Sequence, residues 1–370
     1  MKLMSGIKKL GFEKTYTLPF SFQIPNSTNK ILKNNSSPSS RIKYIKRNIY
    51  LKLKRQNLLE SNKILDEHHN ILWINISAPS IGDSLMDLSS RVMLSDRNID
   101  LFTDKKNADI YLNDDFYDSI FTKLNEIGQK KYDLVILDSY STRTISIKAK
   151  ISPLTPFVAM FGYYNGPEVN RVLFSFHQMN NLLGCKEKES DINIIAEPSI
   201  FISNKDKQFI NSYKLPQDYI AIVIGGEWSF RTFDNWDLVI EKLMRLYKKQ
   251  KIILIGSDNG TANAKYITKK LSMDRILNFV AKFSFNQTAE IINKAKFTVC
   301  CDGGLMHAAH ALGAVTVPLL AKLGKDMQLT YANNAFYIYD ELNVNNITIE
   351  SIVTKCEEAI NFVDNNLQDE

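Results

Sequence analysis

The second half of this chain repeats one local pattern. A short apolar run ends in glycine or aspartate, and an amphipathic helical stretch follows it. YIAIVIGG opens the series at Tyr219 and leads into WDLVIEKLMRLYKKQ. KIILIGS leads into NAKYITKKLS, ILNFVAKF into QTAEIINKAK, and FTVCCDGG into LMHAAHAL, before AVTVPLL closes the series. A looser version precedes it: ILWINISA, then the helical IGDSLMDLSSRVML with Leu85, Leu88 and Val92 as its apolar positions. Strand candidates follow at 99–103 and in YDLVILD, 132–138. Strands alternating with helices require a parallel sheet covered on both faces. Two such series predict an α/β protein of two Rossmann-like lobes, with the cleft between them as the natural ligand site.

The length of 370 residues suits two lobes, and a hydrophobic content of 44% against 23% charged residues gives each a real core. The pattern predicts a basic extension over 1–69, a first Rossmann-like lobe over 70–205, a second over 206–345 and a terminal helix over 346–370. No apolar run reaches the ~20 residues of a membrane span, and the start lacks the order of a signal peptide. A cytoplasmic protein is expected. The four cysteines make no CxxC pair or zinc spacing, so free thiols are expected, with Cys300 and Cys301 as packing residues. No metal and no cofactor are expected beyond the substrate itself.

The net charge of +6 is unevenly spread. Residues 1–55 carry thirteen Lys and Arg against the single acid Glu13, which leaves the rest of the chain acidic. From Arg41 onward, Ile42, Ile45, Ile49 and Leu53 recur at helical spacing among Lys and Arg. Such a helix either lies on an anionic membrane through residues 41–55, at the cytoplasmic face of the inner membrane, or docks on its own globular body. The aromatics do not interleave with the basic arm in the way a base-stacking platform would, so nucleic acid is not an expected partner.

Four segments carry candidate chemistry. In CDGGLMHAAH, 301–310, two glycines join a strand to a helix, where free amides and the helix dipole favour a phosphate. Asp302 there can accept from sugar hydroxyls or simply cap the helix. His307 and His310 lie one turn apart and read as hydrogen-bonded rather than metal-binding. In IGGEWSFRTFDNW, 224–236, Gly225 and Gly226 end a strand and Arg231 can clamp a diphosphate. Asp258 ends the next strand, where an acid can hold ribose hydroxyls or be an ordinary surface charge. In SIGDSL, 80–85, Asp83 is either a general base for an acceptor hydroxyl or a helix cap. The phosphate-binding patterns GxxxxGK[ST] and GxGxxG are absent, as is an Asp-x-Asp metal pair, so Arg231 and helix amides are left to neutralise a leaving group.

Together these segments resemble the ADP-heptose:lipopolysaccharide heptosyltransferases, glycosyltransferase family 9, over roughly residues 71–320. SIGDSLMDLSSRVML is similar to the family's S-x-G-D segment, and YDLVILDSYSTR to its Y-D-hydrophobic-D strand. GGEWSFRTFDNWDLVIEKL resembles the stretch that holds donor phosphates. CDGGLMHAAHALGAVTVPLL is similar to its D-[ST]-G-x-x-H-x-x-A-A-L-G signature. The resemblance implies a GT-B fold, acceptor in the first lobe and donor in the second, and metal-independent transfer with inversion. The acceptor would be a lipopolysaccharide-core or similar glycan or glycolipid. It further implies Asp83 as the base, Arg231 on the donor phosphate, Asp258 on the ribose and Phe283 by the nucleobase. Asp302, Gly303, Gly304, Leu305, Met306 and His307 would bracket sugar and diphosphate.

The chain departs from the family pattern at Asn75, where a basic residue is usual. Gly303 replaces Ser or Thr, and LAKLGKD replaces F-G-P-T after the last strand. Two other readings of the same segments stay open: a nucleotide-sugar 2-epimerase, and a non-catalytic protein that binds nucleotide sugars.

Overall fold

In the first lobe, β1 (Asn70–Asn75), β2 (Asn98–Thr103), β3 (Ser119–Phe121), β4 (Leu134–Leu137) and β5 (Phe157–Ala159) form one parallel sheet in the order β3-β2-β1-β4-β5. The computed structural model describes residues 38–160, 170–271, 273–330 and 334–366. Ile71, Leu72, Trp73 and Ile74 have no exposed surface, so β1 is buried on both faces, as the apolar run requires. In register, Trp73 lies between Leu101 and Ile136.

The helical stretch after β1 is shorter than its sequence pattern. The helix Ile81–Asp87 gives way at Leu88 to a tighter turn over Ser89–Leu94. That change from 3.6 to 3.0 residues per turn rotates Val92 out of the apolar face, and it is exposed.

Of the expected basic arm, residues 1–37 lie outside the described residues, as do the side chains of Arg41 and Ile42. Pro38–Leu53 is a helix, α1. It docks through Leu51, which is buried in one core cluster with Leu72, Ile74 and Val135. The expected apolar stripe points elsewhere: Ile45, Ile49 and Leu53 are 40%, 52% and 74% exposed. The segment after α1 is tied down by the helix Thr142–Ile151. Its buried Lys148 donates to Gln56 Oε1, and Gln56 Nε2 donates to the Pro153 carbonyl at 3.1 Å.

The second lobe is a six-stranded parallel sheet in the order β11-β10-β9-β6-β7-β8. Its strands are β6 (Tyr219–Val223), β7 (Lys251–Ile255), β8 (Ile276–Asn278), β9 (Phe297–Cys301), β10 (Thr316–Ala321) and β11 (Ile338–Asp340). Cys300 and Cys301 fall in the core clusters on opposite faces of β9, as alternation along a strand demands. Burial pushes the Cys301 thiol up to about 12, in keeping with a packing role. The terminal helix Ile349–Asn366 buries Ile352, Cys356 and Ala359 in the cluster that holds Trp236 and Val239.

The chain divides after Ala196, earlier than the boundary read from the sequence. The reason is the helix Asn204–Ser212, whose Ile210 is buried among β6, β7 and Ile291 of the second lobe. Among the described residues no helix is long and apolar enough to cross a membrane.

Both sheets reverse strand order in the middle, between β1 and β4 and between β6 and β9. In open α/β sheets, ligands bind outside the carboxyl ends of the strands at such a switch point. The segments 77–83 and 138–141 leave the first switch, and 224–231 and 302–304 leave the second. The candidate residues therefore sit where topology puts a site in each lobe.

Candidate active site

In the second lobe, Asp302 is the first residue past β9, and its amide still donates to the Leu319 carbonyl of β10 at 3.1 Å. That anchors a side chain only 1% exposed, whose Oδ2 lies 3.0 Å from Arg231 Nη1. His307 Nε2 is 3.8 Å from Asp302 Oδ1. Arg231 comes from the tight turn Ser229–Arg231 after β6, keeps 24% of its side chain exposed, and has its Nε buried without a hydrogen-bond partner among the described residues. The carboxylate thus orients a guanidinium that retains unused donors.

The helix Gly304–Ala311 begins directly beside this pair. Its N-cap is Gly303, which has no side chain to satisfy the first-turn amides. A Cβ built on Gly303 would meet nothing within 4 Å. The space over the helix start is therefore open, and unfilled amides face it with a cation nearby. That combination suits a phosphate or diphosphate.

Gly225 and Gly226 have a different reason to be glycine. A Cβ on Gly225 would come within 2.5 Å of Asn259 Oδ1, and one on Gly226 within 2.5 Å of Thr232 Oγ1. Asn259 Nδ2 also donates to the Gly226 carbonyl at 2.9 Å. The loops after β6 and β7 interlock: Gly225 permits that contact, and Gly226 makes room for Thr232 of its own loop. Asp258 begins the turn Asp258–Gly260 at the end of β7 and is exposed.

Met306 is buried in the apolar cluster with Cys300 and Leu320, so only its backbone is available to a ligand; Leu305 packs at the edge of that cluster. Phe283 packs edge-on with Tyr213, Phe279 and Phe209, at centroid distances of 4.8, 5.3 and 6.2 Å. His310 is a hydrogen-bonded histidine: its Nε2 accepts the Thr330 amide at 3.3 Å and lies 2.7 Å from Thr330 Oγ1. Burial pushes it down to about 4, so the ring is neutral at pH 7. Among the described residues no three His, Cys, Asp or Glu side chains converge as metal ligands. A surface depression lined by Asn211, Lys214, Pro216 and Lys294 is at the amino end of β6, the edge away from this chemistry.

In the first lobe, Asp83 and the helix cap are parts of one device. Ser80 is the N-cap, accepting the Asp83 amide at 3.2 Å, and its hydroxyl donates to Asp83 Oδ2 at 2.7 Å. Asp83 Oδ1 lies 3.6 Å from Arg171 Nε. Arg171 also grips Asp87, one turn further on, with Nε to Oδ1 at 2.8 Å and Nη2 to Oδ2 at 2.6 Å. Burial raises Asp87 to about 6, against the pull of Arg171, and the negative charges of Asp83 and Asp138 add to the rise. Asp138, past the end of β4, reaches across the switch point to accept the Ile76 and Ser77 amides at 2.7 and 2.6 Å. Asn75, where the resemblance leads one to expect a basic residue, is buried and accepts the Ser84 hydroxyl at 3.4 Å.

Arg171, Asp87 and Asp138 were not singled out by sequence. Asp87 is four residues after Asp83 and so shares its helix face, a legible signal. Arg171 is joined to them only by the fold.

The two α/β lobes are those of the GT-B fold, and solved structures share the architecture. A glycosyltransferase family 9 protein from Veillonella parvula matches with a TM-score of 0.66 at 16% identity, covering 81% of this chain and 99% of that one. The Escherichia coli ADP-heptose lipopolysaccharide heptosyltransferase II matches at 0.63 with 18% identity, over 79% and 98% of the two chains. The E. coli heptosyltransferase WaaC with ADP matches at 0.60 with 16% identity, over 78% and 99%. A sequence comparison with curated proteins finds no match. Residues 164–345 match the model of glycosyltransferase family 9 (heptosyltransferase), so the chain carries a domain of that family and is a glycosyltransferase.

Proposed function

We propose that the protein transfers heptose from ADP-heptose to a hydroxyl of a lipopolysaccharide-core or similar glycan, with inversion at the anomeric carbon and without a metal. The observation that carries this reading is the Asp302–Arg231 pair beside the open, uncapped start of the helix Gly304–Ala311. It offers a diphosphate a cation and backbone amides at one place. The matched E. coli structures are named for ADP-heptose and lipopolysaccharide, or hold ADP, which supports the choice of donor.

In this reading Asp83 takes the acceptor proton. Arg171 Nε lies 3.6 Å from one of its oxygens, and the Ser80 hydroxyl fixes the other. The acceptor oxygen bonds to the anomeric carbon from the face opposite the diphosphate, and the carbon–oxygen bond to phosphate breaks. The electron pair leaves with the diphosphate, whose new charge meets Arg231 and the amides of Gly303 and Gly304. Asp258 holds the ribose and Phe283 lies by the base. Gly225, Gly226, Leu305, Met306 and His307 complete the donor site, Met306 through its backbone.

Asp83→Ala should abolish transfer while leaving calorimetric binding of the donor within about twofold. Normal turnover by that variant would remove Asp83 from the mechanism. Conversion of the nucleotide sugar with no acceptor present would point instead to an epimerase. Donor binding with no transfer in a broad acceptor screen would point to a non-catalytic binding protein.

The exposed stripe Ile45, Ile49 and Leu53 among basic residues supports a further element: the helix Pro38–Leu53 rests on the anionic cytoplasmic face of the inner membrane, where a glycolipid acceptor is presented.

A further inference from the structure

Lys322, the residue after β10, has a backbone φ of +63°. Among the described non-glycine residues, Arg55, Cys185 and Lys214 also take the left-handed region after helix ends, where that conformation is a common terminator, and Ala281 takes it in the loop three residues past the end of β8. Lys322 follows a strand. It is the centre of a three-residue turn closed by the Leu323 amide, which donates to the Ala321 carbonyl at 2.7 Å. A γ-turn of positive φ is rare and strained, and strain of this kind collects at functional sites.

The turn carries Lys322 Nζ to 3.8 Å from the centre of the Phe230 ring. Phe230 precedes Arg231, whose guanidinium carbon is 5.2 Å from the same ring. One aromatic side chain thus holds two cations at the carboxyl edge of the sheet. Their charges are not equally matched. Arg231 has Asp302 at 3.0 Å. Among the described residues no carboxylate lies within ion-pair distance of Lys322. Asp340, whose carbonyl accepts the Lys322 amide, uses its own carboxylate on the Leu342 and Asn343 amides at 2.8 and 2.9 Å. An unbalanced positive charge therefore sits at the end of β10, next to the strand that delivers Asp302 and the open space at Gly303.

We propose that Lys322 is a donor-binding residue that contacts the diphosphate of the nucleotide sugar and offsets its charge as it departs. The inference rests on the donor-site reading above and adds a second cation to it. The strained turn is what aims that cation, and Phe230 holds it ready.

The test is calorimetric binding of ADP, UDP, GDP and CDP, with the matching nucleosides as controls. It uses the wild-type protein and the variants Lys322→Met, Lys322→Arg and Lys322→Gly. Lys322→Met should weaken the preferred diphosphate at least tenfold and the nucleoside less than twofold, and Lys322→Arg should recover most of the loss. Lys322→Gly removes ammonium and strain together, so it should raise the urea midpoint while binding the diphosphate as poorly as Lys322→Met. Diphosphate binding within twofold of wild type in both Lys322→Met and Lys322→Gly overturns the role of Lys322 and leaves the donor site standing. Failure of the wild-type protein to bind any of the four diphosphates overturns the donor site and Lys322 with it.

Discussion

The Asp302–Arg231 pair can be weighed directly by a double-mutant cycle. At 3.0 Å and an effective dielectric of ~20, the Coulomb attraction between unit charges is about 5 kcal/mol. Part of this is offset by stripping water from Asp302, whose side chain is 1% exposed, and part is screened at Arg231, which is 24% exposed. A coupling energy of about 2–3 kcal/mol between Arg231→Met and Asp302→Asn is therefore expected, well above the ~0.2–1 kcal/mol of surface pairs. Each single variant should lose about 3 kcal/mol, because each leaves its partner buried or half-buried and unmatched. The readout is urea unfolding followed by tryptophan fluorescence. Trp73 is buried in the first lobe and Trp236 in the second, so a Trp73→Phe background leaves Trp236 as the buried reporter of the lobe that holds the pair. A coupling energy below about 0.5 kcal/mol would refute the argument. It would mean that Arg231 is loosely held, and that Asp302 does not orient it for a diphosphate.

Two further perturbations test other parts of the molecule. For His310, burial lowers the folded-state value from 6.5 to about 4, so the unfolded chain binds the extra proton between those limits. Stability from this group is complete above pH 6.5 and is lost as pH falls towards 4, by up to ~3 kcal/mol at ~1.36 kcal/mol per unit. His310→Gln should flatten that part of the urea-midpoint profile, and an unchanged slope would show that the ring is not held neutral. For the amino-terminal helix, deletion of residues 1–60 should abolish flotation with anionic vesicles, and Ile49→Glu with Leu53→Glu should weaken it strongly. A truncated protein that still floats would sink the membrane reading.

Much of this fold was legible because buried parallel strands leave a plain mark. ILWIN, YIAIV, KIILI and FTVCC are continuous apolar runs, and the strands lie where those runs do. The strands at Ser119–Phe121, Phe157–Ala159 and Ile338–Asp340, each three residues long and outside the regular strand–helix alternation, escaped notice. The candidate site was legible where its residues adjoin a strand end, as Asp302 and Arg231 do. It was hidden where the partner comes from far along the chain. Arg171 meets Asp87 across 84 positions, and nothing near either residue announces the contact. Lys322 was hidden for another reason. The role proposed for it rests on a backbone angle, which sequence does not display unless glycine marks it. The glycines were legible as special positions, while their neighbours were not: Gly225 makes room for Asn259 of the neighbouring loop, Gly226 for Thr232 of its own, and Gly303 opens onto free space.

That interlocked floor limits how such a site can diversify. A methyl group on Gly256 would lie 2.2 Å from the Ile224 carbonyl oxygen, and one on Gly260 would lie 2.4 Å from the same atom. These two loops are thus closed to ordinary variation, because any side chain there pushes them apart. With the donor site as proposed, new donor preferences are written on the open side, at Gly303 and the turn through Lys322. A library aimed at changing the sugar this protein accepts should randomise those positions and leave the glycine floor untouched.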